Sequence, residues 1–110
     1  MNLIIGLTYV AVIDTPAGTY NRFYKVVREE RKKLYANALN YKPYNKLSNT
    51  QFEVEPDEAF VGPELKVQQD SHGLYVEHES KKTGIKKTYF TELYCPDKKY
   101  VNIFDAKRVG

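Results

Sequence analysis

The chain has 110 residues, of which 42% are hydrophobic and 14% aromatic. This length predicts a single domain over residues 1–110, and the apolar fraction argues against wholesale disorder. The single cysteine excludes an intramolecular disulfide and a zinc site built from cysteines, whereas the net charge of +3 excludes nothing by itself.

The first apolar segment, Asn2–Ile13, predicts a buried strand. Its apolar residues occupy both alternating faces, which is typical of a strand covered on two sides. It reaches about half of the ~20 residues that cross a bilayer, and no basic residue precedes it as in a secretory signal. With the lone thiol, this predicts a cytoplasmic protein that does not bind a membrane. A turn at Asp14–Gly18 would lead into a second strand near Tyr20.

The expected fold class is α+β, because one amphipathic helix is predicted over residues 28–40. Five apolar residues recur at helical spacing: Val27, Leu34, Tyr35, Ala38 and Leu39. Glu29 and Lys33 would form an i,i+4 pair, and Pro43 would end the helix. Residues 19–28 fit either the second strand of an N-terminal hairpin or an extension of this helix.

The rest of the chain predicts an antiparallel, mostly meandering sheet that curls or closes into a small barrel. Residues 44–63 are expected to be mostly irregular, with a short strand at Phe52–Val54. A meander is predicted from Glu64 to Val109, ending in a strand at Tyr100–Phe104 and containing a ten-residue strand at Ile85–Tyr94. Its turns are expected at Asp70–Gly73, Ser80–Gly84 and Pro96–Lys98.

Charge is segregated along the chain. Residues 22–46 carry a net +6, residues 51–70 carry −5, and residues 81–108 carry +5. The acidic block would either form a separate face or neutralise part of a basic surface.

The first functional hypothesis is a small non-enzymatic protein-interaction module that binds its partner protein through an acidic, Tyr-containing surface. Carboxylates there would select a basic partner, and tyrosines would add contact area at little entropic cost. This character is compatible with an accessory or inhibitor protein, such as a virus-encoded antagonist of a host complex. Exposed edge strands would also allow a homodimer. The residues expected to bind the partner are Glu53, Glu55, Asp57, Glu58, Tyr41 and Tyr44.

The alternative hypothesis is a nucleic-acid-binding protein that uses a basic helix and a basic hairpin. Lysine and arginine would neutralise phosphates there, with a salt-dependent affinity. The residues concerned are Arg28, Arg31, Lys32, Lys33, Lys81, Lys82, Lys86 and Lys87.

Catalytic and cofactor signatures are sparse. His72 and His78 are the only histidines, and neither lies near Cys95 in sequence. The dispersed glycines form no phosphate-binding motif. We therefore expect no catalytic residue, no metal site and no cofactor; a small ligand-binding protein or enzyme, with a pocket between helix and sheet, is the second alternative.

Overall fold

The described part of the chain, residues 3–80 and 84–104 of a computed structural model, contains nine β-strands and no helix. Four of the strands are rich in β-branched and aromatic residues, which fit the pleated surface of a sheet: Thr8–Thr15, Gly18–Glu30, Gly84–Tyr89 and Tyr100–Phe104. The strands are β1 (Thr8–Thr15), β2 (Gly18–Glu30), β3 (Lys33–Lys46), β4 (Gln51–Lys66), β5 (Gln68–Asp70), β6 (Gly73–Ser80), β7 (Gly84–Tyr89), β8 (Glu92–Leu93) and β9 (Tyr100–Phe104).

The predicted helix at residues 28–40 is wrong, and with it the α+β fold class; the described residues are all-β. A two-residue turn at Arg31 and Lys32 joins β2 to β3, with Glu30 opposite Lys33. Both turn residues have positive φ angles, 51° and 64°, as a type I′ hairpin requires. Lys33 therefore faces Glu30 rather than making the expected pair with Glu29.

The misleading helical spacing arises because the apolar residues of β3 serve two different cores. Leu34 and Ala38 pack against one apolar cluster, and Leu39 belongs to another. Register shifts on both sides of Leu39, in the pairing of β3 with β4, interrupt the alternation that would otherwise identify a strand.

The N-terminal hairpin is confirmed, although its first strand is shorter than predicted. Pro16 and Ala17 form the turn, and β1 pairs with β2 from Thr8 opposite Lys25 to Thr15 opposite Gly18. This settles residues 19–28 as strand.

Four strands close into a ring. The six-stranded sheet has the order β3–β4–β9–β2–β1–β8, and β3 also pairs with β2. One edge of β2 is shared, since Gly18 and Thr19 pair with β9 whereas Phe23–Glu30 pair with β3. The last strand is where it was predicted, but it lies between β4 and β2, so the fold is not a simple meander.

Apolar side chains fill the interior of this ring. Each of its four strands contributes one buried residue, and β1 adds a fifth: Phe23, Leu39, Val54, Tyr100 and Val10. Burying one large apolar side chain stabilises a fold by about 1.5–3 kcal/mol. The ring is therefore a packed core.

The segment predicted to be mostly irregular is instead the end of β3 and most of β4. The sequence does not predict the full length of β4, because the segment contains Pro56 and Pro63. β9 pairs only with Gln51–Val54, so beyond Val54 the second edge of β4 has no strand pairing among the described residues. Pro56 and Pro63 lie in that part of the strand, where a missing N–H donor is tolerated.

A second sheet, β5–β6–β7, covers the outer face of the ring. Its Val76 packs with Tyr24, Val26 and Ala36, and none of these four side chains is exposed. The predicted turn at residues 70–73 is confirmed by the pairing of Asp70 with Gly73.

The predicted strand at Ile85–Tyr94 is divided in two. β7 pairs with β6, whereas β8 pairs with Tyr9 and Val10 of β1. The chain crosses from one sheet to the other at Phe90 and Thr91, whose backbone N–H groups donate to the carbonyl groups of Leu74 and Val10 respectively.

No helix within the described ranges is long and apolar enough to cross a membrane.

Candidate functional site

The predicted acidic surface is largely neutralised in the fold. Glu58 lies 3.1 Å from Lys25, and Glu64 lies 2.6 Å from Arg28. Glu53 is only 5% exposed and faces Lys99 at 3.7 Å. The acidic block therefore pairs with both basic blocks of the sequence, and its exposed negative charge is smaller than the sequence predicts.

Two acidic residues of the block, Glu55 and Asp57, form no ion pair with any described residue. Glu55 lines a groove of about 430 Å³. Three segments that are distant in sequence form the groove. They are the stretch before and at the start of β1 (Gly6, Leu7, Thr8), the middle of β4 (Glu55, Pro56, Glu58) and the β8 region (Leu93, Tyr94, Pro96).

Hydrogen bonds hold the first of these segments against β2. The Gly6 N–H donates to the Val26 carbonyl at 2.7 Å, and the Val26 N–H donates to the Leu7 carbonyl at 3.0 Å. The groove wall is therefore anchored to a central strand of the sheet and does not depend on loop packing alone.

The groove combines negative charge with apolar walls. Burial, followed by the charge of Glu55, raises the pKa of Tyr94, which places the carboxylate close to the phenol. Leu7 and Leu93 are exposed to 37% and 47%, and Ile4 and Ile5 immediately precede this wall and are also exposed. Large apolar side chains exposed together are characteristic of interaction surfaces.

The structure brings together four of the six residues predicted to bind a partner. Glu55 and Glu58 line the groove. Tyr44 lies beside it: desolvation and the adjacent carboxylates of Glu53 and Glu55 raise its pKa.

The other two residues of that prediction lie elsewhere. Tyr41 lines a separate cavity. Asp57 is half-buried and accepts a hydrogen bond from the Ala59 N–H at 3.0 Å.

The residues of the nucleic-acid hypothesis do not form one helical face. Arg28 is held by Glu30 and Glu64 and lies 4.0 Å over the Tyr35 ring. Lys87, in the second sheet, lies 3.2 Å from Asp70. Lys86 neighbours it on β7, and Lys81 and Lys82 lie outside the described residues.

A smaller cationic cluster remains at the β2–β3 turn. Arg31, Lys32 and Lys33 are exposed, and the charge of Lys33 lowers the pKa of Lys66 on β4. Like charges at this range indicate local positive potential.

His78 lies on β6, whereas Cys95 follows β8. Within residues 3–80 and 84–104, no group of three histidine, cysteine, aspartate or glutamate side chains could hold a metal ion. Cys95 is exposed beside the groove, and His78 bonds to Tyr24 on the other face of the ring wall.

Sequence reasoning missed the apolar wall of the groove, because Leu7, Leu93 and Pro96 carry no local signal that relates them to Glu55. Comparison of the chain with protein-family models, with curated proteins and with solved structures gave no match. The function of the chain is therefore inferred from its own geometry and charges.

Proposed function

We propose that the protein is a non-enzymatic interaction module whose groove binds a partner protein through a basic side chain flanked by apolar residues. The observation that carries this proposal is that Glu55, a carboxylate without an ion-pair partner in the described residues, lines the same groove as the exposed apolar side chains of Leu7 and Leu93.

Charge complementarity supports a cationic ligand group. A lysine or arginine that enters the groove would meet Glu55 in a partly desolvated setting, where a charge-assisted hydrogen bond is stronger than in water. Glu58 would add to the negative potential, although Lys25 offsets part of its charge. Acidic segments would be repelled, so the groove would discriminate between partners by charge.

Size and shape support a short segment of a partner. The groove volume of about 430 Å³ accommodates one or two side chains, and its walls come from the anchored N-terminal segment and from the β8 region. Apolar neighbours of the basic residue would pack on Leu7 and Leu93, which supply the hydrophobic part of the binding energy.

Selection from a displayed library of random short peptides tests the proposal. We expect the protein to enrich peptides with lysine or arginine between apolar residues. In fluorescence anisotropy, Glu55→Gln should weaken the best peptide roughly tenfold or more, because one charge-assisted bond is lost. Leu93→Ser should weaken it independently of charge.

Glu79→Lys is the matched control, since Glu79 is an exposed acid on β6 outside the groove. A Glu79→Lys protein that binds as the unmodified protein does, beside a Glu55→Lys protein that does not, would support the assignment. Enrichment of acidic or uncharged peptides, or equal binding by both variants, would contradict it.

Nucleic-acid binding is a second candidate, which only the cationic cluster at the β2–β3 turn favours. The specific observation is the proximity of Lys33 and Lys66. A mobility-shift assay at low salt should then show a complex that Arg31→Glu weakens and that dissociates as salt rises. Absence of any complex with single- or double-stranded RNA or DNA would exclude this candidate.

A further inference from the structure

A second cavity, of about 270 Å³, lies where β6 crosses over β2 and β3. It shares no lining residue with the groove. Arg22 and Tyr24 of β2 form one side, the segment Ala38–Tyr41 of β3 forms another, and His78 of β6 closes it.

The His78 imidazole is positioned by a buried phenol. The Tyr24 ring is fully buried, and its hydroxyl lies 2.6 Å from Nε2 of His78. Burial raises the pKa of Tyr24, so its hydroxyl stays protonated and can donate to Nε2. In the neutral imidazole the proton is then on Nδ1, which remains a donor.

Positive charge surrounds this histidine without an acidic counterpart in the cavity lining. Arg22 forms no ion pair within the described residues, and it is exposed. Desolvation, followed by the charges of Arg22 and Lys86, lowers the pKa of His78. The other titratable groups that face the cavity are the phenols of Tyr24 and Tyr41.

The carboxylates nearest to the cavity in sequence and sheet register either project from the opposite face of their strand or already accept a hydrogen bond. Glu77 and Glu79 alternate with His78 on β6, so they project from the opposite face of that strand. Asp57 lies opposite Asn40 in the sheet, and its Oδ1 accepts the Ala59 N–H. Among the described residues that line the cavity, none carries a carboxylate.

We infer that this cavity binds the oxyanion group of a small molecule, a phosphate or a carboxylate. The Arg22 guanidinium offers paired donors that match either group. Asn40, Tyr41 and His78 also line the cavity, and the side chain of each carries a hydrogen-bond donor. Protonation of His78 would add a second positive charge.

Titration followed by NMR tests the inference with inorganic phosphate, acetate and chloride at equal ionic strength. We expect saturable shifts at Arg22, Asn40 and His78 with phosphate or with acetate, and the tighter of the two identifies the oxyanion class. Chloride should give no saturable shift. Failure of both oxyanions to produce saturable shifts at these residues would overturn the inference.

Variants of Arg22 test the site directly. Arg22→Gln should weaken oxyanion binding roughly tenfold, the effect of one charge-assisted hydrogen bond. Arg22→Lys should retain only part of the affinity, because the ammonium lacks the paired N–H donors of the guanidinium. Arg31→Gln removes an exposed arginine outside the cavity and should leave affinity unchanged. An equal loss of oxyanion affinity in Arg22→Gln and Arg31→Gln would show that only the net charge of the protein matters, and it would overturn the inference.

Sulfate isolates the contribution of His78, because the charge of sulfate is constant across the relevant pH range. Binding should tighten as pH falls below the ordinary histidine value of 6.5, and His78→Asn should remove that dependence. Since the groove and this cavity have separate linings, failure here would leave the peptide-binding proposal intact.

Discussion

The side-chain oxygen of Asn102 accepts a hydrogen bond from the backbone N–H of Asn21 at 2.7 Å, although the two residues are 81 positions apart. It does so between the two stretches of β2 that pair with β9 and with β3. The Asn102 side chain thus takes the place of a strand partner, and the Asn21 amide returns a bond to the Val101 carbonyl at 2.9 Å. This pair joins the ring where the edge of β2 changes neighbours.

Asn102→Ala should lower the free energy of unfolding by about 1–3 kcal/mol, because it leaves the buried N–H of Asn21 without its acceptor. Urea unfolding followed by tyrosine fluorescence measures the change. Asn49→Ala, at an exposed position in the β3–β4 loop, is the control and should cost much less. Equal effects of the two substitutions would show that the bridge contributes nothing specific.

Gly18→Ala should be strongly destabilising. A Cβ at Gly18 would lie 1.9 Å from the Ile103 carbonyl oxygen, and the φ of +143° is itself unfavourable for alanine. Gly73→Ala provides the comparison, since its φ is +131° but a Cβ there meets no atom within 4 Å. The midpoint of thermal unfolding should therefore fall further for Gly18→Ala than for Gly73→Ala. A similar decrease of the unfolding midpoint in both variants would show that the backbone conformation alone accounts for the effect.

Replacing the β2–β3 turn with Asn-Gly (Arg31→Asn with Lys32→Gly) should raise the free energy of unfolding by about 1–2 kcal/mol. Both positions have positive φ, which Asn and Gly adopt at lower cost than Arg and Lys.

The turn replacement also removes two cations, so the double variant Arg31→Gln, Lys32→Gln is the charge-matched control. Equilibrium unfolding in urea should show a gain for Asn-Gly over Gln-Gln. A gain of the same size in both variants would assign it to relief of charge repulsion alone.

Asp70 should titrate with a pKa of about 2, well below its ordinary value of 3.8. The main cause is the Tyr89 hydroxyl, which donates to Oδ2 at 2.6 Å; the His72 N–H and Lys87 also contribute. Because the folded-state value is lowered, the stabilisation is complete above about pH 4 and is lost as pH falls towards 2.

Carbon-detected NMR of the Asp70 carboxyl checks this titration. Tyr89→Phe should move the pKa towards 3.8, whereas Tyr20→Phe should leave it unchanged because Tyr20 bonds to Ala17 instead. A value near 3.8 in the unmodified protein would contradict the hydrogen bond from Tyr89.

Local signals in the sequence were sufficient for several elements. Turn residues at Asp14–Gly18 and Asp70–Gly73 predicted two hairpins correctly, and alternation located β9, because both signals depend on adjacent residues. The helix was wrong because two closely spaced apolar groups of β3 pack on opposite faces of a curved sheet. Nothing in their spacing distinguishes that arrangement from a helical stripe.

The residues of the candidate sites also fall into two groups, those that a local sequence signal indicates and those that only the fold brings into the site. Glu55 and Glu58 were predicted because they stand in an acidic run, whereas Leu93 reaches them only through the pairing of β8 with β1. Arg22 was not singled out, since its relation to His78 depends on how the second sheet crosses β2. Long-range packing therefore determines both cavities, and sequence periodicity does not encode it locally.

Closure of the ring by β9 has a consequence for how the chain folds. β2, β3 and β4 can associate through short loops, but their cylinder remains open until residues 100–104 arrive between β4 and β2. Such distant pairing raises the contact order, which slows folding. During synthesis the nascent chain would therefore hold an unsealed sheet edge until nearly all of the described sequence has left the ribosome, the stage at which association with another chain would compete most strongly with folding.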